Sequence, residues 1–563
     1  MPIRPLGTTF IAPGVFVEEV SFRSRAIEGV PMAVTGFVGP TRSGPVGGVA
    51  VALTSLAEFE RLHGDGQPLV LGGQTLVQHL WHAARAYFAE GGRRLHVVRV
   101  YRRDPAPPKG SAADGIARLR QGGVTWAARH PGRAGNLRLR LTLRHGQRAA
   151  DGGVLGEPWT MTRADLQVSG EDGRAIGQWT GLSVDPAAAP ADGRRWLFEP
   201  AGTVPATDAL PVVVQARRGL GVEPVLRALT AALGPVMDDP SRWVDGLVLD
   251  LALAGGHDGQ WPAAAEIAGQ VEAGTGRRHG LCALEAVEDL SLVAAPASAV
   301  PDASGRAPVD LGAVHELLLA HAGRMRHRMA LLDAAPGPSL SELTVTRERL
   351  SARPQAHLGA LFHPWVQVAD PVSGQTLALP PSAFVAGLIG RVDEARGVWK
   401  TASGEPLLLA TGLSANLGKP EQDVLNQAGV NLLRAVPQRG IQVWGARTLS
   451  TDPAHRYLPV ERSLIWLQRS IERGLDWTVF EANDEPLWTR VRQAVQDFLM
   501  TAWRAGMLLG ARPEEACFVR CDRTTMTQAE IDQGDVIVLI GLALLKPAEF
   551  MVVRVGARAA GSA

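Results

Sequence analysis

Apolar residues change their spacing twice along this chain, and the change calls for one fold interrupted by another. In residues 137–144, LRLRLTLR, they recur at every second position, the period of a half-buried strand. From Val124 to about Gln215, Trp159, Trp179 and Trp196 sit among Gly- and Asp-rich turns, so the stretch reads as a small β-rich insert. On either side of it, helical and strand patterns alternate. Residues 32–41 read as a strand and 53–64 (LTSLAEFERLHG) as a helix capped by Ser55. A helix over 76–89 is stopped by Gly91-Gly92 and followed by a strand over 95–101 (LHVVRVY), which together make half of a βαβ unit. Residues 102–115 have the composition of a linker. Past residue 226 the pattern resumes: apolar strands at 243–253 and 290–296, a helix near 263–274, a Pro-rich loop over 295–308, and a helix over 314–333. Such alternation predicts a multidomain α/β (α+β) chain with a largely parallel sheet covered by helices.

The C-terminal third predicts two amphipathic helices. Val460, Leu464, Leu467 and Ile471 line one, between Pro459 and Gly474. Trp488, Val491, Val495, Phe498 and Trp503 line the other, with Asn483 and Asp484 as capping candidates and Pro486 in the first turn. In TQAEIDQG (527–534) Thr527 and Glu530 form a capping box and Gly534 is a stop, so a very short helix is expected. Strand-like runs at 536–545 and 549–555 close the chain. The run VFVEEV (15–20) near the other end has no hairpin turn after it, so its pairing partner is not adjacent in sequence. A lone strand leaves its N–H and C=O groups unpaired until it joins a sheet edge, in its own subunit or in another.

At 563 residues the chain is long enough for three or four domains of ~100–200 residues. A formal charge of +1 gives no electrostatic case for nucleic acid or an anionic membrane. No apolar run reaches the ~18–20 residues of a membrane span, and the start MPIRPLGTTF has no apolar core of signal-peptide length. The three cysteines, Cys282, Cys517 and Cys521, are too few for a disulfide framework and suit a reducing compartment.

No catalytic motif is complete in the sequence. GLSANLGKP (412–420) has one residue too many for a phosphate loop and places Pro420 where the metal-binding hydroxyl belongs. His315-Glu316 is followed by Leu319 rather than a second histidine, and His321 and His327 stand six apart, so no zinc-binding helix results. Cys517 and Cys521 have no second pair to complete a zinc site and are expected as small buried hydrophobes. No G-x-S-x-G elbow occurs. Neither enzyme activity, cofactor nor metal is expected.

Several long stretches together resemble the contractile tail sheath family of phages, phage-tail-like bacteriocins and extracellular contractile injection systems. PGVFVEEV with FVGPTRSGP, AYFAEGGRRLHVVRV, LFHPWVQVADP and GRVDEARGVWKTASG are similar to motifs of its N-terminal and central parts. LNQAGVNLLRAVPQRGIQVWGARTLS, FEANDEPLWTRVRQAVQDFLMTAWRAGML and CDRTTMTQAEIDQG resemble its C-terminal region. Residues 102–215 and the tail RVGARAAGSA depart from the pattern. The resemblance implies a central mixed sheet with helices on both faces built from both chain ends, an inserted outer domain and extended terminal β-arms. It divides the chain into an arm donated to a neighbour (1–25), the first part of the sheath core (26–105), the inserted domain (116–215), a central α/β domain of subtilisin-like topology (226–424) and a C-terminal domain with a terminal arm (425–563).

What the resemblance implies for function is a structural subunit. Copies would stack as six-fold helical rings around an inner tube and contract to drive the tube through a target envelope. Its partners would be itself, the inner tail tube protein, and baseplate and terminator or cap proteins, with no nucleic acid and no direct membrane insertion. It would be made in the bacterial cytoplasm and end in a phage tail or a released particle. The arm residues facing a neighbour would be Val15, Phe16, Val17 and Glu18, with Phe550, Val552 and Val553 at the other end. Thr527, Gln528, Glu530, Asp532 and Asp535 are the candidates for holding the tube. A non-contractile tail or baseplate protein, and a hydrolase on an α/β core, are the alternatives.

Overall fold

The computed structural model describes residues 26–121, 124–144, 163–184, 197–198, 210–216, 229, 247–301 and 309–546. These divide into two compact units: 31–466 with 546, and 26–30 with 467–545.

The larger unit is built on an eight-stranded sheet. Its strands are β1 (Thr35–Gly39), β2 (Ala52–Leu53) and β3 (Leu95–Arg99), then β11 (Leu292–Ala294), β12 (Met329–Asp333), β13 (Gly359–His363), β14 (Asn431–Val436) and β15 (Gly440–Trp444). Between β3 and β11 the chain makes β4 to β10, described below. The sheet order is β2-β3-β1-β11-β12-β13-β14-β15. Every pair from β3 to β14 is parallel, and antiparallel β2 and β15 close the two edges. β1, β3, β12 and β13 are buried at every position. Strands covered on both faces favour unbroken apolar runs, which is why β1 and β3 were readable in the sequence.

Helices follow the expected signals, with instructive exceptions. Ser55 accepts the Glu58 N–H to start α1 (Leu56–His63). Helix α2 (His79–Ala89) starts three residues later than its periodicity predicts. Leu76 is held in a hairpin with Leu69, turned by Gly72 and Gly73 at positive φ. The helix expected over 314–333 is two elements: α3 (Leu311–Met325) stops at Arg326 in the left-handed region, and Met329–Asp333 is the buried strand β12. An apolar strand buried on both faces continues the helix's apolar content, so periodicity could not separate them. The helix expected near 263–274 is short, Ala264–Ala268, and ends where Gly269 takes φ 68°.

The strand expected at 243–253 does not join the main sheet. It forms β10 (Leu247–Ala252), antiparallel to β6 (Arg138–Arg144), in the order β8-β7-β6-β10 with β7 (Arg163–Ser169) and β8 (Ala175–Ser183). Leu247, Leu249 and Leu251 face the insert's core while Val248, Asp250 and Ala252 face out. That clean alternation is the signature of an antiparallel strand with one wet face, and it overrides the apolar reading. A second sheet, β9-β5-β4, joins Val212–Ala216, Val124–Ala128 and Arg118–Gln121 across the fully buried Trp126.

The segment with linker composition is tied down. Arg102 pairs with Gln260, the Ala112 N–H donates to Gly255 O at 2.9 Å, and Asn136 and Gly256 bond reciprocally. Asp258 is the clamp: its carboxylate accepts from Val70 N at 2.9 Å in the core and from Arg133 N at 2.7 Å in the insert. Arg99, 2% exposed, lies beside it and donates to Gly44 O at 2.9 Å. Burial lowers this guanidinium's pKa to about 10, and the Asp258 charge opposes that shift.

Beyond α4 (Ser382–Arg396), the smaller unit begins within α5 (Leu458–Leu475), since the division falls at Leu467. In it the Val30 N–H donates to Ser470 Oγ at 3.1 Å, and Ile27 lies where a side chain on Gly474 would stand. Asp484 accepts from Leu487 N to start α6 (Glu485–Arg504), which buries Trp488, Val491, Val495 and Phe498 as its spacing predicts. Trp503, the last of that stripe, is half-buried and donates to Gly510 O at 3.0 Å. After α6 come β16 (Cys517–Arg520), α7 (Gln528–Gln533) and β17 (Leu539–Leu542).

Candidate assembly surface

β16 and β17 form a two-stranded antiparallel sheet with Phe518 opposite Gly541 and Arg520 opposite Leu539. Neighbours two apart on a strand, and partners directly across, share a face. One face therefore carries Phe518, Arg520, Leu539 and Gly541. The other carries Cys517, Val519, Ile540 and Leu542, of which Val519 is buried. The first face is apolar yet open: Phe518 and Leu539 are each 49% exposed, and Ile537 just before β17 is 38% exposed. Arg520 rests over the Phe518 ring at 5.5 Å. Among the described residues neither strand has a second strand partner. A two-stranded sheet is marginal on its own in water, and its free edges are templates for another strand.

Between β16 and β17 lies α7. Thr527 caps it, Glu530 returns the cap to Thr527 N at 2.7 Å, and Gly534 ends it in the left-handed region. Those Thr527 bonds hold the Glu530 carboxyl below its ordinary pKa. Gln528 donates to Asp532 at 2.8 Å. Thr527, Gln528, Asp532 and Asp535 are exposed and Glu530 half-buried, so the structure groups these five residues on one short solvent-facing element. Asn483 pins its far end, donating to Ile531 O and Asp535 O at 3.1 Å and accepting from Trp488 Nε1 at 2.7 Å. Val15, Phe16, Val17, Glu18, Phe550, Val552 and Val553 lie outside the described residues.

The histidines weighed as ligands serve packing. His315 donates to the Asp333 carbonyl at 3.0 Å, and buried His321 accepts from Arg328 at 2.7 Å. Burial brings their pKa values down to about 4 and about 3. Among the described residues no group of three or more His, Cys, Asp or Glu is placed to hold a metal. At 418–421, Glu421 caps the Gly418 N–H at 2.6 Å, filling the helix start a phosphate would need. Cys521 is buried and Cys517 half-buried; both are free thiols, and burial raises their pKa values. No helix among the described residues is long and apolar enough to cross a membrane. The sequence reading missed the open face of Phe518 and Leu539, because the unbroken apolar run at 536–545 does not tell an open side from a covered one.

Exposed apolar side chains on a sheet with free edges mark a surface for association, so fold and surface together define a structural subunit of an assembly. Comparison with known proteins names which. Residues 307–449 match the phage tail sheath protein central domain, and residues 450–558 the phage tail sheath C-terminal domain. The chain is 25% identical over 195 residues to a putative prophage major tail sheath protein of Pseudomonas aeruginosa (strain UCBPP-PA14), covering 34% of this chain and 48% of that one. It is 30% identical over 129 residues to the tail sheath protein of Burkholderia phage BcepMu, covering 21% and 27%. The matched stretches thus span less than half of either relative. The helical sheath of the anti-feeding prophage in its contracted state shares the fold, with a TM-score of 0.53 and 22% identity across 98% of this chain and 99% of that one. Residues 307–558 of the chain thus match the central and C-terminal domains of the phage tail sheath family.

Proposed function

We propose that this chain is the repeating subunit of a contractile sheath. Copies stack as six-fold helical rings around an inner tube, and contraction of the stack drives the tube into its target. The observation that carries the mechanism is the β16–β17 sheet: two strands with free edges are an incomplete element. The missing strands are the arms of neighbouring copies, VFVEEV from one end and EFMVVRV from the other. Backbone bonds give such an added strand its affinity, while Val15 and Val17, or Phe16, set its register. Five extended residues, 21–25, reach at most ~17–18 Å, enough to cross to a neighbour with little slack. Arms that stay paired while subunits rotate would keep the sheath whole as it shortens.

In this reading α7 meets the tube. Thr527, Gln528, Glu530, Asp532 and Asp535 present an acidic, hydrogen-bonding surface for a tube protein, and baseplate and cap proteins close the two ends of the stack. The test is removal of residues 1–20. The truncated subunit is expected to stay folded and soluble but to form no cylinders under the electron microscope. Long cylinders from the truncated chain would sink the interlaced-arm mechanism.

A further inference from the structure

Phe480 is 102% exposed and Val479 beside it 60% exposed, in the turn that joins α5 to α6. Among the described residues four non-glycine residues take positive φ, namely Ala33, Arg326, Gln438 and Phe480, and of these Phe480 alone is aromatic. A bulky side chain at φ 72° is a strained outlier, sustained only where the surroundings over-determine it. They do so here. The Val479 N–H donates to Asp476 O at 3.3 Å and the Glu481 N–H to Thr478 O at 3.1 Å. Glu481 pairs with Arg490 at 3.2 Å, and Asn483 ties the turn to the C-terminal end of α7. These bonds hold the turn, yet the ring it displays is fully exposed.

We infer that Phe480 is a contact residue that seats on the open β16–β17 face of a second copy of this chain. The proposal rests on the sheath reading and adds a site to it. Three observations select a second copy. The same unit carries both a projecting apolar knob, Val479 and Phe480, and a separate open apolar face, Phe518 and Leu539. The charged groups beside them can interact: exposed Glu481, which also meets Arg490 in its own subunit, flanks the knob, and exposed Arg520 flanks the face. A knob and a face that differ in shape make a heterologous contact, which propagates into rings or open helical stacks rather than closing as a dimer. Strand addition at the edges of the same sheet leaves this face free, so the two contacts are compatible.

The test compares the lowest concentration at which purified full-length chains form cylinders. Phe480→Ala and Phe480→Gly should melt like the wild type, the glycine variant at or above it because glycine suits positive φ. Both should raise the onset concentration by about tenfold or more, as loss of a buried aromatic anchor does. Glu481→Arg and Arg520→Glu should each raise it, and the double variant should restore it. Normal assembly of the Phe480 variants overturns the contact and leaves the ring to another partner, while a double variant no better than either single overturns its placement on the β16–β17 face. A wild-type chain that never assembles removes the sheath reading itself, and this inference with it.

Discussion

Phe518 stands directly across the sheet from Gly541, and its ring occupies the space a side chain on that glycine would need. Glycine weakens a strand, and an aromatic folded over it from the partner strand restores cover. The pair therefore sets how much apolar surface this open face presents. Gly541→Val should push the ring aside. Melting is expected to hold within about 1 kcal/mol because the face is exposed, while cylinder formation should need more protein. Unchanged assembly would show that the ring's position is immaterial.

Trp488 is 3% exposed, packs with Leu487, Val491, Cys521 and Met526, and donates its indole N–H to Asn483. Trp488→Ala should cost ~3–5 kcal/mol in denaturant titrations. The loss should fall on the smaller unit. A variant with an unshifted midpoint would move this tryptophan from core to interface.

Stability should depend on pH in two opposing ways. Asp333 is fully buried, accepts from Ser382 N at 2.7 Å and Ser382 Oγ at 2.6 Å, and burial pushes its pKa up to about 7 from an ordinary 3.8. Between those values the folded chain keeps a proton that the unfolded chain has lost. Its contribution is thus complete below pH 3.8 and lost as pH rises towards 7. Buried His63, His315 and His321 have folded values of about 3 to 4, so theirs is complete above pH 6.5 and lost on acidification. In Asp333→Asn the melting temperature relative to wild type should rise from pH 4 to pH 8. A constant offset would show that Asp333 titrates normally.

Where the insert ends decides how it can be removed. Deleting residues 116–215 leaves β10 without its partner strand and exposes Leu247, Leu249 and Leu251, so that protein should be insoluble. Deleting 116–253 removes the whole β-rich body, and its ends lie close together, with Ala112 bonded to Gly255 and His257 to Gly115. That protein should sediment as a folded subunit and still assemble. The reverse order of solubility would place β10 in the core.

The main sheet was legible in part, because parallel strands buried on both faces leave apolar runs, as in Thr35–Gly39 and Leu95–Arg99, whereas Met329–Asp333 merged with the helix before it. The caps at Ser55, Asp484 and Thr527 were legible because capping is a local rule. Sheet membership was not, since nothing near Leu247 names Leu143 as its partner across a hundred residues. The Asp258 clamp has the same origin, joining Val70 and Arg133 from distant segments. Phe480 was invisible for another reason: its exposure and positive φ come from the turn's hydrogen bonds, which no apolar period encodes.

Copies of this chain are proposed to build a sheath through contacts with one another. Electron microscopy of the purified wild-type protein, with no other tail component present, tests this most directly. Long hollow cylinders of stacked six-fold rings are the expected result. Discrete rings or dispersed monomers at every concentration tried would contradict it, and would point to a non-contractile tail or baseplate role instead.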